Sequence, residues 1–176
     1  MNIFILLIMM LLWPVAQSEA GEFLNKHLPQ WINVDVQLRH RYEYRSDFDF
    51  NKNADDKDGF NLWRSRLSLT LKPTEDLKLF YQFQDARISQ DNTAGLKVVS
   101  ENWSETRQLW VEVKTNKLAF DAIALSKVGL RLGRQEFSYG AQRLLGAFDW
   151  SNQAQTFDAG KVILEFASQK LNIDIF

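Results

Sequence analysis

A regular alternation of side-chain character begins just after Trp31, and it constrains the possible folds of this chain more than any other feature. From Ile32 to Tyr44 every even position except His40 is apolar or aromatic, whereas the odd positions from Asn33 to Arg45 are all polar or charged. Successive side chains of a β-strand point to opposite faces. The stretch therefore predicts a strand with one apolar face and one polar face.

The alternation returns in six later segments, which predicts an all-β, antiparallel chain of seven strands. The later strands are expected near residues 60–72, 77–84, 108–114, 128–135, 157–166 and 171–176. Long polar segments lie at 46–59, 89–105 and 138–156, and shorter connections lie between them at 73–76, 115–127 and 167–170. Strands of about ten residues joined in this way are typical of a transmembrane β-barrel of the outer-membrane type.

Aromatic residues support a membrane position for these strands. Trp31 is expected at the short-turn rim of the barrel, and Tyr42, Tyr44, Phe60 and Trp63 at the long-loop rim. A soluble antiparallel sandwich is the alternative, because its strands alternate in the same way. Sandwich strands are usually only about five or six residues long, and their water-facing side needs no clustering of arginine. The pattern therefore favours the barrel.

The first residues and the strand count predict how the chain is organised. Residues 1–20 are apolar from Ile3 to Trp13 and end in Ser-Glu-Ala, which is typical of a secretory signal peptide. Residues 21–30 are expected to form a periplasmic segment, and residues 31–176 a partial barrel. Single-chain bacterial barrels close with an even number of strands, so seven strands predict an incomplete, N-terminal fragment of a longer barrel.

Composition argues against several kinds of site. The chain has no cysteine and only two histidines, so neither thiolate chemistry nor a His-rich metal site is available to it. Its 21 basic and 22 acidic residues give no overall excess of positive charge that would indicate a polyanion-binding protein. Nucleic acid is therefore not an expected partner. Glu136 with Asp149 or Asp158 is a conceivable carboxylate pair, but no spacing shows that they converge. No enzymatic activity, catalytic residue or cofactor is predicted.

The acidic segment 47–58 has oxygen-bearing side chains at offsets that a calcium loop would use. These weak metal candidates are Asp47, Asp49, Asn51, Asp55 and Asp58. Lys52 stands where a calcium loop needs glycine for its sharp turn. A solvated loop with at most weak binding of divalent cations is therefore the favoured interpretation.

The charges are unequal when they are sorted by face, because the polar faces carry ten basic but only five acidic side chains. The basic residues are Arg39, Arg41, Arg45, Arg64, Arg66, Lys72, Lys78, Lys114, Arg131 and Lys161. The acidic residues are Asp35, Glu43, Glu112, Glu165 and Asp174. Guanidinium groups bind carboxylates through two parallel hydrogen bonds, and rings of them select anions in pores. Arginine–carboxylate pairs that stiffen the barrel are the alternative role.

Two arginines do not fit the polar faces. Strand parity places Arg87 and Arg134 on the apolar side, where a charge in the middle of a bilayer is costly. Each is therefore expected to lie near a rim, or beside a bulge that turns it inward.

Four segments resemble the alginate-export family of outer-membrane β-barrels. They are LRHRYEYRSDFDFN, DGFNLWRSRLSLTLKP, LFYQFQDARI and, most specifically, LRLGRQEFSYGAQRLLGAFDWSNQAQTFDAGKV at residues 130–162. The resemblance covers roughly residues 31–166 and implies a single-chain barrel of about eighteen strands with an arginine-lined lumen. Carried over by motif, the arginines of this path would be Arg39, Arg41, Arg64, Arg66, Arg131 and Arg134, with Arg143 near its mouth.

The resemblance implies a Gram-negative outer-membrane channel that exports an anionic polysaccharide such as alginate. The alternatives are a porin for small anionic or sugar solutes and, in another class of protein, a periplasmic β-sandwich binding module. The expected partners are the anionic polysaccharide or a small anionic solute, outer-membrane lipid, and proteins of a periplasmic export complex.

Overall fold

Seven antiparallel strands form one sheet in the computed structural model, as the alternation predicts. The structure describes residues 23–45, 57–90, 100–118, 125–166 and 171–176. The predicted signal peptide lies outside these residues. The strands are β1 (Ile32–Arg45), β2 (Asp58–Leu71), β3 (Leu77–Ser89), β4 (Asn102–Thr115), β5 (Leu125–Gln135), β6 (Phe157–Phe166) and β7 (Leu171–Ile175).

Each strand pairs with the next strand along the chain, and the order in the sheet is β1 to β7. The β1–β2 register places Arg39 opposite Arg64, and the β2–β3 register places Arg66 opposite Gln84. Within the described ranges β1 does not pair with β7, so the sheet is open. No second sheet packs on it there, which excludes the sandwich alternative for this part of the chain.

The two faces of the sheet have the opposite polarity from those of a soluble protein. On the apolar face, Leu38 is 73% exposed and Leu109 is 56% exposed. On the polar face, Arg64 is only 2% exposed. A soluble sheet buries its apolar face against a core and exposes its polar face to water. The inversion agrees with an incomplete barrel whose apolar face meets lipid.

One aromatic residue lies on the other face from the one predicted. Tyr42, Tyr44 and Trp63 are at least half exposed on the apolar face, near the long-loop end of the sheet. Phe60 is fully buried with Leu62 on the polar face, so its predicted place in an outer aromatic belt is wrong. Phe60 shares strand parity with Arg64, and it packs in a buried cluster with Leu62 and Ile88.

A bulge in β4 interrupts the alternation. Gln82 of β3 is opposite Gln108, but the next residue, Phe83, is opposite Thr106. Arg107 is therefore the extra residue in β4, and its side chain turns to the polar face, where only 1% of the residue is exposed. A bulge leaves the extra residue unpaired, disrupts the ladder locally and can re-aim a side chain in this way.

A single helical turn at residues 23–25 precedes β1. The Asn25 amide both donates to the Val34 carbonyl and accepts from its backbone N–H, at 2.8 Å in each case. It thus occupies backbone groups on the edge of β1 that β2 does not use. Over the described ranges, no helix is long and apolar enough to cross a membrane.

Candidate functional site: the polar face and the loop that crosses it

The connection between β5 and β6, residues 136–156, folds over the polar face and reaches β1 and β2. Asp149 in this loop accepts hydrogen bonds from two buried arginines of β2. Its Oδ1 lies 2.7 Å from Arg66 Nη1, and its Oδ2 lies 3.1 Å from Arg64 Nη2. Two guanidinium groups therefore hold one carboxylate against the sheet, which is a charge-assisted arrangement of the strong kind.

Backbone carbonyl groups of the loop take up the remaining arginines of this end of the sheet. Arg39 donates to the carbonyl of Asp149 at 2.7 Å and to that of Ser151 at 3.0 Å. Arg41 donates to the carbonyl of Trp150 at 2.7 Å, and its guanidinium carbon lies 4.1 Å from the centre of the Trp150 ring. Four arginines that the sequence assigns to a substrate path thus converge on one short segment of the chain.

Polar side chains hold the loop in this position. The Asn152 side chain is nearly fully buried and donates to the carbonyls of Trp63, Arg87 and Ser100 at 2.9–3.2 Å. Next to it, the carbonyl of Gln153 accepts from Gln84 at 2.7 Å. Buried backbone carbonyl groups require hydrogen-bond donors. The side-chain amide of Asn152 supplies donors to these carbonyls and at the same time fixes the loop to the sheet.

Positive charge and hydrogen-bond donors exceed their partners in this cluster. Glu43 pairs with Arg41 at 2.6 Å and Asp149 with two arginines, which leaves Arg39 bound only to uncharged acceptors among the contacts described. In that same region the buried Nε atoms of Arg39, Arg41 and Arg64 find no protein acceptor. Unsatisfied buried donors of this kind are where water or an anion binds.

The burial of Asp149 would by itself raise the pKa of its carboxyl. Hydrogen bonds from Arg66 and Arg64 outweigh this effect and lower the pKa below its usual value. A depressed folded-state pKa means that the ionised carboxylate stabilises the docked loop at all pH values above its ordinary pKa of about 4. The stabilisation is lost only as the pH falls through the lower, folded-state value.

The short-turn half of the polar face contains paired charges instead of a convergent cluster. Arg131 Nε donates to Glu112 at 2.7 Å, and Lys114 pairs with Glu165 at 2.7 Å. Lys78 lies 5.2 Å from the ring centre of Trp110, whose ring Arg131 also contacts, at 4.1 Å. These contacts are Arg–carboxylate and Lys–carboxylate pairs, the arrangement that the stiffening role left open by the sequence would need.

Some sequence-assigned residues are not brought together with the cluster. Arg134 lies on the apolar face and makes a two-point ion pair with Asp158, at 2.9 Å for both contacts. Arg45 pairs with Glu43 at 3.2 Å and also lies over the ring of Phe60. Arg143 is exposed in the 136–156 loop, beside a cavity of about 460 Å³.

Arg87 also lies on the apolar face. It pairs with Asp85 at 2.7 Å, and its guanidinium carbon is 4.4 Å from the ring centre of Trp103. Both apolar-face arginines, Arg87 and Arg134, lie near the long-loop ends of their strands and carry a neutralising aspartate. Of the two positions expected from the sequence, both arginines therefore take the one near a rim. Neither side chain is turned to the polar face by a bulge.

Sequence reasoning missed Arg107. This residue donates to Gln82 Oε1 at 2.7 Å and pairs with Glu136 at the start of the loop. Simple parity puts Arg107 on the apolar face, and only the bulge in β4 brings it inward. Because Arg107 directly precedes the strand predicted at residues 108–114, that prediction contained no signal that could have pointed to a bulge here.

The carboxylates weighed as a catalytic pair are separated by their ion pairs. Glu136 binds Arg107, Asp149 binds the β2 arginines, and Asp158 binds Arg134 on the other face. Over the described ranges, no three acidic or histidine side chains are grouped to hold a metal ion. Of the weak calcium candidates only Asp58 is described, and it is buried at the start of β2.

The open antiparallel sheet, with exposed apolar side chains on one face and arginines on the other, agrees with part of an outer-membrane β-barrel. A family model described as alginate export matches residues 30–176. The chain belongs to the alginate export family, a family of outer-membrane transport channels, and the resemblance seen in the sequence is confirmed. No curated protein and no solved structure gives a significant match.

Proposed function

We propose that the polar face of this sheet lines an outer-membrane channel that exports an anionic, alginate-like polysaccharide, and that arginines of β1 and β2 select the anion. The observation that supports this most is the cluster around Asp149. Arg64 and Arg66 hold a carboxylate there, and Arg39 and Arg41 bind neighbouring carbonyl oxygens. A polyuronate presents the same two kinds of acceptor, a carboxylate on each sugar and uncharged oxygens beside it.

Electrostatics favours an anion over a neutral sugar at this position. The cluster has more guanidinium groups than carboxylates, and its donors are buried, so their field is less screened than at a water-exposed surface. The paired ladder of Arg131, Lys114 and their glutamates carries no such surplus. We therefore assign selection to the long-loop half of the face and mechanical support to the short-turn half.

Reversal of both β2 charges tests this assignment. In planar bilayers under a salt gradient, Arg64→Glu with Arg66→Glu should abolish the anion selectivity of the protein or reverse it, because two positive charges on the lining become negative. The matched control is Lys26→Glu with Lys117→Glu, which changes the net charge equally at exposed positions outside the strands. It should shift the reversal potential far less. Unchanged selectivity in the β2 variant would contradict the assignment.

A further inference from the structure

The tip of the 136–156 loop, residues 147–152, is buried at both of its ends, but the side chain of Asp149 between them is exposed. Ala147 is 6% exposed and Asn152 is 2% exposed, whereas the Asp149 side chain between them remains 52% exposed. The carboxylate thus contacts Arg64 and Arg66 from the side that faces away from the sheet. The backbone carbonyl of Asp149 is held separately, by Arg39 and Arg64, so rotation of the side chain alone would free the donors that its carboxylate occupies.

The backbone around the tip has an unfavourable conformation. Phe148 and Ala154 have φ angles of 47° and 62°, in the left-handed region that residues with a Cβ rarely adopt. Such a conformation is unfavourable and persists only where surrounding contacts enforce it. The contacts of residues 149–152 with the arginines and the sheet therefore hold the loop tip against its own backbone preference.

We propose that Asp149 is a built-in competitor for the carboxylate groups of the transported polymer. Its two oxygens occupy the donors of Arg64 and Arg66 to which a uronate carboxylate would bind, so the two carboxylates exclude each other. A polymer carboxylate binds only when the tip moves away, and the return of Asp149 releases it. Weak, exchangeable binding of this kind is what transport through a selective pore requires. The inference rests on the proposed function, because it names a regulator of the same site.

A positioning role for Asp149 predicts the opposite result from competition. If the carboxylate only aligned Arg64 and Arg66 for substrate, its removal would leave them disordered and weaken substrate binding. If it competes, its removal frees their donors and strengthens substrate binding. The sign of the change in affinity therefore separates the two roles.

Calorimetric titration of the detergent-solubilised full chain with a hexauronate from alginate measures that sign. Asp149→Asn keeps the shape of the side chain and removes its charge, and we expect binding to tighten by about tenfold, the change that corresponds to roughly 1.4 kcal/mol. The control is Asp158→Asn, which removes one acid from the opposite face and should leave the affinity within about twofold. Asn152→Ala, which releases the anchor and keeps the carboxylate, should also tighten binding. Weaker or unchanged binding by Asp149→Asn would overturn the proposal.

A chemical readout without substrate separates this proposal from the proposed function. Phenylglyoxal modifies accessible arginines, and mass spectrometry locates the product. Arg64 and Arg66 should react several times faster in Asp149→Asn than in the wild-type chain, with Arg143 as an exposed internal reference. Equal rates would refute occlusion by the loop. Faster labelling together with no hexauronate binding by either protein would retain the occlusion and refute the proposed substrate.

Discussion

Arg107 and Glu136 form an ion pair on the polar face, in which the arginine is buried and the glutamate is partly exposed. Arg107 is 1% exposed, and it has Gln82 as a second partner. A guanidinium at such a position is tolerated only because a carboxylate compensates its charge, since burial of an unpaired charge costs several kcal/mol. The pair also links β4 to the first residue of the 136–156 loop, so it fixes the direction in which that loop leaves the sheet.

Glu136→Gln should therefore lower the free energy of unfolding by about 2–3 kcal/mol, because it leaves the buried Arg107 uncompensated. Urea-induced unfolding in lipid vesicles measures this change. The control is Asp158→Asn, which breaks an ion pair that is largely exposed. It should cost much less stability than Glu136→Gln, because exposed ion pairs contribute little. Equal losses in the two variants would show that burial does not set the importance of the Arg107 pair.

The elements of this sheet are nearly all predictable, because period-two alternation reports the side-chain direction of each strand residue. The faces of β1 and β2, with Arg39, Arg64 and Arg66 on the polar one, follow from the alternation in the sequence, whereas their register comes from the structure. Phe60 is misplaced because its aromatic character suggested an outer belt, although parity already put it with Arg64. The bulge at Arg107 and the docking of residues 147–153 leave no periodic signal, since both depend on contacts between distant parts of the chain.

β4 and β5 approach each other closely at one glycine. A Cβ built on Gly133 would lie 2.2 Å from the carbonyl oxygen of Leu109 and 2.8 Å from the Cα of Trp110. Its φ of 127° also lies in a region that residues with a Cβ rarely adopt. The position therefore requires glycine for two reasons: the lack of space for a Cβ and the backbone conformation.

Gly133→Ala should destabilise the sheet by at least about 2 kcal/mol, because the strands must separate to admit the new methyl group. Gly140→Ala is the control, since Gly140 has a φ of 56° but no atom within 4 Å of a built Cβ. The control isolates the conformational cost, which we expect to be about 1 kcal/mol. Unfolding midpoints in urea compare the two, and equal shifts would contradict the close approach of the strands.

Over the described ranges, the sheet has most of its apolar side chains on the exposed face and most of its charges on the other face, part of which the 136–156 loop covers. This inversion is what sequence alternation alone could not decide, because a soluble sandwich alternates in the same way. The exposure of Leu38 and Leu109 on one face and the burial of Arg64 on the other distinguish the barrel from the sandwich. The family match adds the channel class, and the cluster around Asp149 is the basis on which we propose an anionic cargo.

Block of single-channel current by oligosaccharides tests the central claim most directly. A hexauronate added on the short-turn side of the reconstituted protein should interrupt the current in a concentration-dependent way, because its carboxylates bind the β2 arginines. A neutral glucan hexamer of the same length is the control and should give much shorter and rarer interruptions. Equal block by the two oligomers, or no block by the hexauronate, would contradict export of an anionic polysaccharide along this face.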